Sequence, residues 1–130
     1  MPETLGIRGS GLSPCPARPN CVSSDATDPA QKVGPLVLSV PPEEAWRAVR
    51  AAVSQLPRTR IVADTAEYLH AECRSRFFRF VDDLELQLRP GEGQIGVRSA
   101  ARLGYSDFGV NRERVETLRR MLVSAGAVKP

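Results

Sequence analysis

Apolar residues recur at helical spacing in two segments of the chain, and both segments carry the start and stop signals of a helix. The first segment follows Pro41 and ends at Pro57. Its apolar stripe consists of Trp46, Val49, Val53 and Leu56. The second begins at Asn111, a favourable N-cap residue, and stops at Gly126. Its buried stripe is predicted to be Val115, Leu118 and Leu122.

Alternation of apolar and polar residues with a period of two predicts strands before and between these helices. A short apolar strand is predicted at 36–40, and four more at 58–64, 67–75, 81–89 and 94–102. The inward side chains of the last three strands are predicted to be Leu69, Ala71, Cys73, Leu84, Leu86, Leu88, Ile95, Val97 and Ser99.

The same alternation sets the register of these strands, because a slip of one residue would turn every leucine outward. Leu86 then pairs with Val97. On the other face, Glu85 lies opposite Arg98, and we expect the two to form an exposed cross-strand pair. The sole histidine, His70, also projects from this second face.

The predicted order is β-α-β-β-β-β-α, which indicates an α+β fold: a twisted antiparallel sheet with two helices on one face. Its topology is similar to TATA-box-binding-like and helix-grip folds, an analogy that carries no function. Residues 34–126 are predicted to form this single domain. Residues 1–33 have almost no apolar periodicity and are predicted to be an irregular N-terminal arm, and 127–130 a tail.

Composition narrows the class of protein without naming a function. The 130 residues are 42% hydrophobic and 25% charged, which is ordinary for a soluble globular domain. No segment is apolar enough to span a membrane and no secretory signal is visible, so we expect a cytoplasmic protein, with envelope association open if a leader is removed. The net charge of +3 comes with interspersed acidic residues, which disfavours nucleic acid as a partner. The oligomeric state is left open.

The cysteines favour neither a metal nor a cofactor, and we expect none. Cys15 and Cys21 are not at a zinc-binding spacing, and His70 alone leaves little for a metal site. Two free thiols are the favoured interpretation, with a disulfide, or a metal or redox role, as the alternatives. Cys73 is interpreted as a small core residue, because His70 should lie on the opposite face of the same strand.

Asp82 is the anomalous polar residue of the predicted core. It takes an inward position in a strand otherwise lined by leucines, and Cys73 lies opposite it in the inferred register. A buried carboxylate is costly unless it is paired, so Asp82 either meets an arginine or has a raised pKa, which would make it a candidate general acid. The candidate arginines are Arg74, Arg76, Arg102 and Arg112. Asp82 and Asp83 would also repel a phosphate chain.

The connection from 98 to 112 crowds arginine, serine, aspartate and glycine between a strand and a helix, and sites concentrate on such loops. The candidate ligand-binding residues are Arg74, Arg76, Asp82, Arg98, Ser99, Arg102, Tyr105, Asp107, Asn111, Arg112, Cys21 and Ser23. No catalytic residue is assigned.

Three functional interpretations follow from this set of residues. The favoured one is a non-enzymatic binding or structural module. Its polar groups either pin the loop and the arm onto the sheet or bind a small anionic or amphipathic ligand between the sheet and the C-terminal helix. The alternatives are a hydrolase or thiol enzyme centred on Asp82 or Cys21, and a protein-interaction module.

Three segments, 15–24, 73–83 and 97–112, together resemble the bacterial and plastid family called domain of unknown function 1499. The resemblance spans roughly Leu12 to Leu122. It implies no activity, substrate or cofactor. Many relatives carry an N-terminal membrane or lipoprotein anchor, so the resemblance implies an envelope location as the alternative to the cytoplasm.

Overall fold

The computed structural model describes residues 5–9, 11–76, 80–104 and 106–130, and it confirms the α+β class. Helices α1 (Pro42–Gln55) and α2 (Val110–Ser124) accompany an antiparallel sheet. The strands are β1 (Ile7–Arg8), β2 (Gly11–Leu12), β3 (Cys21–Ser23), β4 (Leu36–Val37), β5 (Thr59–Asp64), β6 (Tyr68–Arg74), β7 (Val81–Arg89) and β8 (Gln94–Ala101). Within the described residues, no helix is long and apolar enough to cross a bilayer.

The main sheet has the order β3-β8-β7-β6-β5, and β4 pairs with β8 beside β3. Leu86 pairs with Val97, and Cys73 pairs with Asp82, so the predicted register is confirmed. The leucine alternation settles this register, because only one alignment turns the apolar side chains toward the helices.

The face of the sheet that the helices cover, here the inner face, carries the core. Trp46, Val49 and Val53 of α1 are buried against it, and the Trp46 indole donates to the Thr65 carbonyl oxygen at 3.0 Å. The stripe predicted for α2 is buried there too: Val115, Leu118 and Leu122. Each fully buried side chain of this size contributes about 1.5–3 kcal/mol.

The opposite face of the sheet, here the outer face, is also buried, which the alternation did not predict. Glu85 is 0% exposed and Arg98 is 2% exposed. The prediction of an exposed Glu85–Arg98 pair was therefore wrong, because the arm lies over this face as a second layer. Strand β2 of the arm lies against β7 and β8, and β3 pairs with β8.

Arginines fasten the arm to the rest of the domain. Arg89 reaches across Gly96 and binds Asp25 with two hydrogen bonds of 2.8 and 2.6 Å. A Cβ at residue 96 would lie 2.5 Å from the Arg89 guanidinium, so a larger residue there would displace this side chain from its present position. Arg112 of α2 donates to two carbonyl oxygens of the arm, at 2.9 Å each.

Candidate functional site

The candidate residues predicted from the sequence do not converge on one place, because strand alternation sends them to both faces of the sheet. Asp82 and Ser99 face α2, whereas Arg98 and Arg102 belong to the outer face. The remaining candidates are either at the exposed end of β6 (Arg74, Arg76), in the arm (Cys21, Ser23) or at the start of α2 (Asp107, Asn111, Arg112). Tyr105 lies outside the described residues.

Asp82 has a partner that the sequence interpretation missed. Its Oδ2 lies 2.9 Å from Arg114 Nη1, and both side chains are largely buried. The four arginines proposed for this role were the wrong ones, since α2 covers the inner face and Arg114 stands on its first turns. Burial raises the pKa of the Asp82 carboxyl, and Arg114 opposes that shift without cancelling it.

Asn111 is not the N-cap of α2, which begins at Val110. The N-cap residue is Gly109, and the carboxylate of Asp107, two residues earlier, accepts from the backbone N–H of Gly109 at 2.8 Å and of Asn111 at 3.1 Å. The buried Asn111 side chain turns inward, where its Oδ1 accepts from Ser99 Oγ at 2.6 Å and from Arg114 at 2.7 Å. These groups bond to one another, so the cluster pins the loop onto the sheet.

Cys15 and Cys21 form a disulfide, so the favoured interpretation of two free thiols was wrong. Strand β3 pairs Cys21 with Ala100, and the chain before it turns back so that the two Cα atoms lie 5.7 Å apart. The sulfur of Cys21 is therefore not available as a nucleophile. Cys73 is buried, and burial raises the pKa of its thiol. Ser23 is buried too, and its hydroxyl accepts from the Asp25 N–H at 3.1 Å.

Glu85 is the first of two carboxylates at the centre of the outer face. It accepts from Arg98 Nη1 at 3.1 Å, from the Tyr68 hydroxyl at 2.5 Å and from the Gly6 N–H at 2.8 Å. Burial, together with the hydrogen bond to this carboxylate, raises the pKa of Tyr68. The pair is thus a buried ion pair with additional donors, the arrangement that a charge in a protein interior requires.

Asp83 is the second carboxylate. Arg102 binds both of its oxygens, at 2.7 and 2.8 Å, and His70 Nε2 lies 2.6 Å from Oδ1. Burial alone would raise the pKa of Asp83, but the hydrogen bonds from Arg102 and His70 outweigh burial and hold this pKa below its usual value. Arg102 also binds Glu72 at 2.7 Å, which extends the network toward β5.

A cavity of about 320 Å³ lies between the arm and the outer face. The disulfide loop forms one wall through Cys15, Arg18 and Asn20, and Arg98 and Arg102 stand on the other. Two residues of this lining each have a buried side-chain atom, Asn20 Oδ1 and Arg98 Nε, without a hydrogen-bond partner among the described residues. Arg18 is exposed at the rim. We name this space the arm cavity.

The sequence-based candidates did not name Arg18 or Asn20 individually, although both lie within the 15–24 segment that carried the family resemblance. It also placed the ligand pocket between the sheet and the C-terminal helix, whereas the arm cavity is on the opposite face. The signal was present: a polar Arg and Asn inside a short loop between two cysteines. These two residues become part of a cavity only because the arm covers the sheet, and the apolar periodicity of the sequence does not predict that covering.

The loop between β8 and α2 also exposes apolar side chains. Leu103 is 75% exposed and Phe108 is 95% exposed. Phe108 has a φ of 53°, in the left-handed region that bulky residues seldom adopt. This apolar surface is the kind that the interaction-module hypothesis requires, and that hypothesis stays a prediction.

The neighbouring residues Asp82 and Asp83 should change stability with pH in opposite directions. The folded-state pKa of Asp83 is lowered, so the stability that it contributes is present above its unfolded pKa of about 3.9 and is lost as the pH falls through the folded value. The folded-state pKa of Asp82 is raised, so its contribution is present below the unfolded pKa and is lost as the pH rises through the folded value.

Melting temperatures of wild type, Asp82→Asn and Asp83→Asn between about pH 2 and pH 7 would check this. The melting temperature of Asp83→Asn should fall further below that of wild type as the pH rises. The melting temperature of Asp82→Asn should instead rise relative to that of wild type over the same range. Parallel curves for the two variants would contradict the assignment of the two environments.

The described residues include no group of three or more His, Cys, Asp or Glu side chains arranged to hold a metal ion. No curated protein and no solved structure shows significant similarity to the chain. One family does match: the "Protein of unknown function (DUF1499)" family aligns with residues 11–122, a range that contains the disulfide loop, the sheet and most of α2. With nearly its whole length matched, the chain belongs to the DUF1499 family.

Proposed function

We propose that this protein is a non-enzymatic binding module that holds a small anionic ligand in the arm cavity. The observation that carries the proposal is that two residues lining this cavity each have an unpartnered buried atom, Arg98 Nε and Asn20 Oδ1. A buried polar atom without a partner costs about 1–3 kcal/mol, and native proteins retain few of them. A ligand that satisfied both atoms would recover that cost on binding.

The chemistry of the lining indicates the class of ligand. Arg98 Nε can only donate, and Arg18 adds a second guanidinium at the rim. Asp83 also lines the cavity, but Arg102 binds both of its oxygens and offsets its charge, so the part near Arg98 and Arg18 suits a carboxylate or a phosphate. Asn20 Oδ1 can only accept, so the ligand should also carry a hydroxyl or amino group. The volume of about 320 Å³ is at the lower end for ligand pockets, which favours a compact metabolite.

Two features support binding over catalysis at this place. Asp83 is held ionised by Arg102 and His70, so it is a poor proton donor. The sulfur of Cys15 is bonded to Cys21 and is not a nucleophile. The disulfide also supports the envelope alternative, because disulfides persist in oxidising compartments and are rare in the cytosol.

Native mass spectrometry of the protein purified from its own cells tests the proposal, with Arg18→Gln as the variant. Arg18 is exposed, so its loss should leave the fold intact while removing one of the donors. We expect wild type to carry a small extra mass that is lost on denaturation, and Arg18→Gln to retain several-fold less of it. The denatured chain should lack the two thiol hydrogens of Cys15 and Cys21.

Arg47→Gln is the matched control, because Arg47 is an exposed arginine on α1, away from the arm cavity. It removes the same charge and should retain as much ligand as wild type. An apo mass for wild type, or equal loss in the two variants, would count against the proposal.

A further inference from the structure

We propose that the protein has a second anion site, in a groove lined by arginines, and that it binds the phosphoryl group of a small phosphorylated compound. The groove has a volume of about 650 Å³ at the β5 edge of the sheet. Four arginines line it: Arg58, Arg60, Arg74 and Arg76. We name this space the arginine groove. It shares no lining residue with the arm cavity, so the two proposals are independent.

Strand pairing brings these arginines together from two parts of the chain. Arg60 pairs with Glu72 across β5 and β6, and the Arg74 N–H donates to the Arg58 carbonyl oxygen at 2.9 Å. Guanidinium groups on paired strands start from backbones about 4.8 Å apart. That spacing lets two of them reach the oxygens of one phosphoryl group.

The positive charge of the groove is not neutralised by its own acid. Glu72 is the acidic residue of the described lining, and its Oε2 is bound tightly by Arg102, at 2.7 Å. Arg60 and Arg74 both lie near Oε1, at 3.6 and 3.5 Å, longer than the 2.7–2.9 Å of a charge-assisted hydrogen bond. One carboxylate is thus shared among three guanidiniums. Arg60 and Arg74 keep 75% and 50% of their side-chain surface exposed, open to a ligand.

The acidic residues that would repel phosphate are turned away from the groove. Asp82 points to the inner face and pairs with Arg114. Asp83 is buried on the outer face between His70 and Arg102. Neither one lines the groove. The objection to an anionic ligand that the sequence raises therefore does not hold in the folded protein.

The described lining suits a phosphoryl group. Arginine presents a planar fork of donors that matches two oxygens of a phosphate. The other described members of the lining are Thr59, Glu72 and Ser75. The volume of about 650 Å³ is that of a pocket for a small compound.

Arg58 offers a variant that separates binding from folding. Its φ is 52°, in the left-handed region that glycine adopts without strain. Glycine at this position relieves the strained backbone but also removes the hydrogen bond from Arg58 Nε to the Arg74 carbonyl oxygen at 3.2 Å. The two effects oppose each other, so we expect stability to change little while one guanidinium is lost from the groove.

The test is a titration with inorganic pyrophosphate at low salt, followed by calorimetry and by amide NMR shifts. We expect saturable binding with shifts at Thr59, Arg60 and Ser75. Arg60→Gln/Arg74→Gln should weaken it at least tenfold, and Arg58→Gly about threefold with an unchanged melting temperature. The control variant Arg47→Gln should bind pyrophosphate as wild type does.

Three outcomes would overturn the proposal: no saturable binding of pyrophosphate, an equal loss in Arg47→Gln, or shifts confined to the arm cavity. Two further titrations test other sources of phosphate. An oligo-dT strand, or vesicles of phosphatidylglycerol, that bound more tightly than pyrophosphate through Arg60 and Arg74 would replace the small compound as the ligand. If only Arg18→Gln loses the ligand seen by native mass spectrometry, that result tests the arm-cavity proposal and does not test the arginine groove.

Discussion

Replacing Glu85 by glutamine should destabilise the protein by about 3–5 kcal/mol and lower its melting temperature by on the order of 10–15 °C. Glutamine keeps the shape of the side chain but removes the charge that neutralises Arg98, 3.1 Å away and 2% exposed. The guanidinium would then be a buried charge without a counter-ion. The free energy of unfolding in urea, measured for wild type and Glu85→Gln, gives the difference directly.

A double variant and a surface control make this test specific. Glu85→Met/Arg98→Met removes both charges and should recover most of the lost stability, since apolar residues of similar volume commonly replace a buried ion pair at little cost. Glu113→Gln breaks a pair in which both side chains are at least 65% exposed, and should cost less than about 1 kcal/mol. If Glu85→Gln costs no more than Glu113→Gln, the arm does not bury the outer face.

Removing the disulfide should have the next largest effect, a loss of about 2 kcal/mol in Cys15→Ser/Cys21→Ser. The disulfide closes a short loop, six positions apart in sequence, and so restricts the unfolded chain only locally. It also fixes the wall of the arm cavity that carries Arg18 and Asn20. Thermal melts of wild type and variant, with and without dithiothreitol, measure the loss.

The Cys15→Ser/Cys21→Ser variant also serves as the control for the dithiothreitol treatment, because it has no disulfide to reduce. Dithiothreitol should lower the melting temperature of wild type to that of Cys15→Ser/Cys21→Ser and should not change the variant. Cys73 is buried away from the loop and is reduced already, so it does not contribute. Identical melts for oxidised and reduced wild type would show that the loop is held without its disulfide.

The sequence was sufficient for the inner half of the fold. Leucines alternating along β7, and the helical spacing of Trp46, Val49 and Val53, each have one arrangement that buries them together. The register that pairs Leu86 with Val97 followed from this and was confirmed. The local pattern of apolar residues therefore predicts the structure where an element buries one strongly apolar face.

The outer half could not be predicted, because the outer face of the sheet carries mainly polar side chains. Glu85 and Arg98 have the pattern of a solvent-facing pair, and only the arm, folded back over β7 and β8, makes them interior residues. The partner of Asp82 was missed for a related reason. Arg114 precedes Val115 on α2, and which arginine reaches the inner face depends on how the helix is rotated against the sheet.

The dependence of the arm on β8 has a consequence for how the chain folds as it is made. The hydrogen bonds from Val97 N–H to Ser24 Oγ and from Arg98 to the Pro14 carbonyl join residues 73 and 84 positions apart. Contacts of such long range form slowly, since the loop they close must be ordered first. β8 leaves the ribosome only after the arm that it binds. We expect the arm to dock once β8 has formed, so that the charged outer layer stays in water until the apolar layer beneath it has formed.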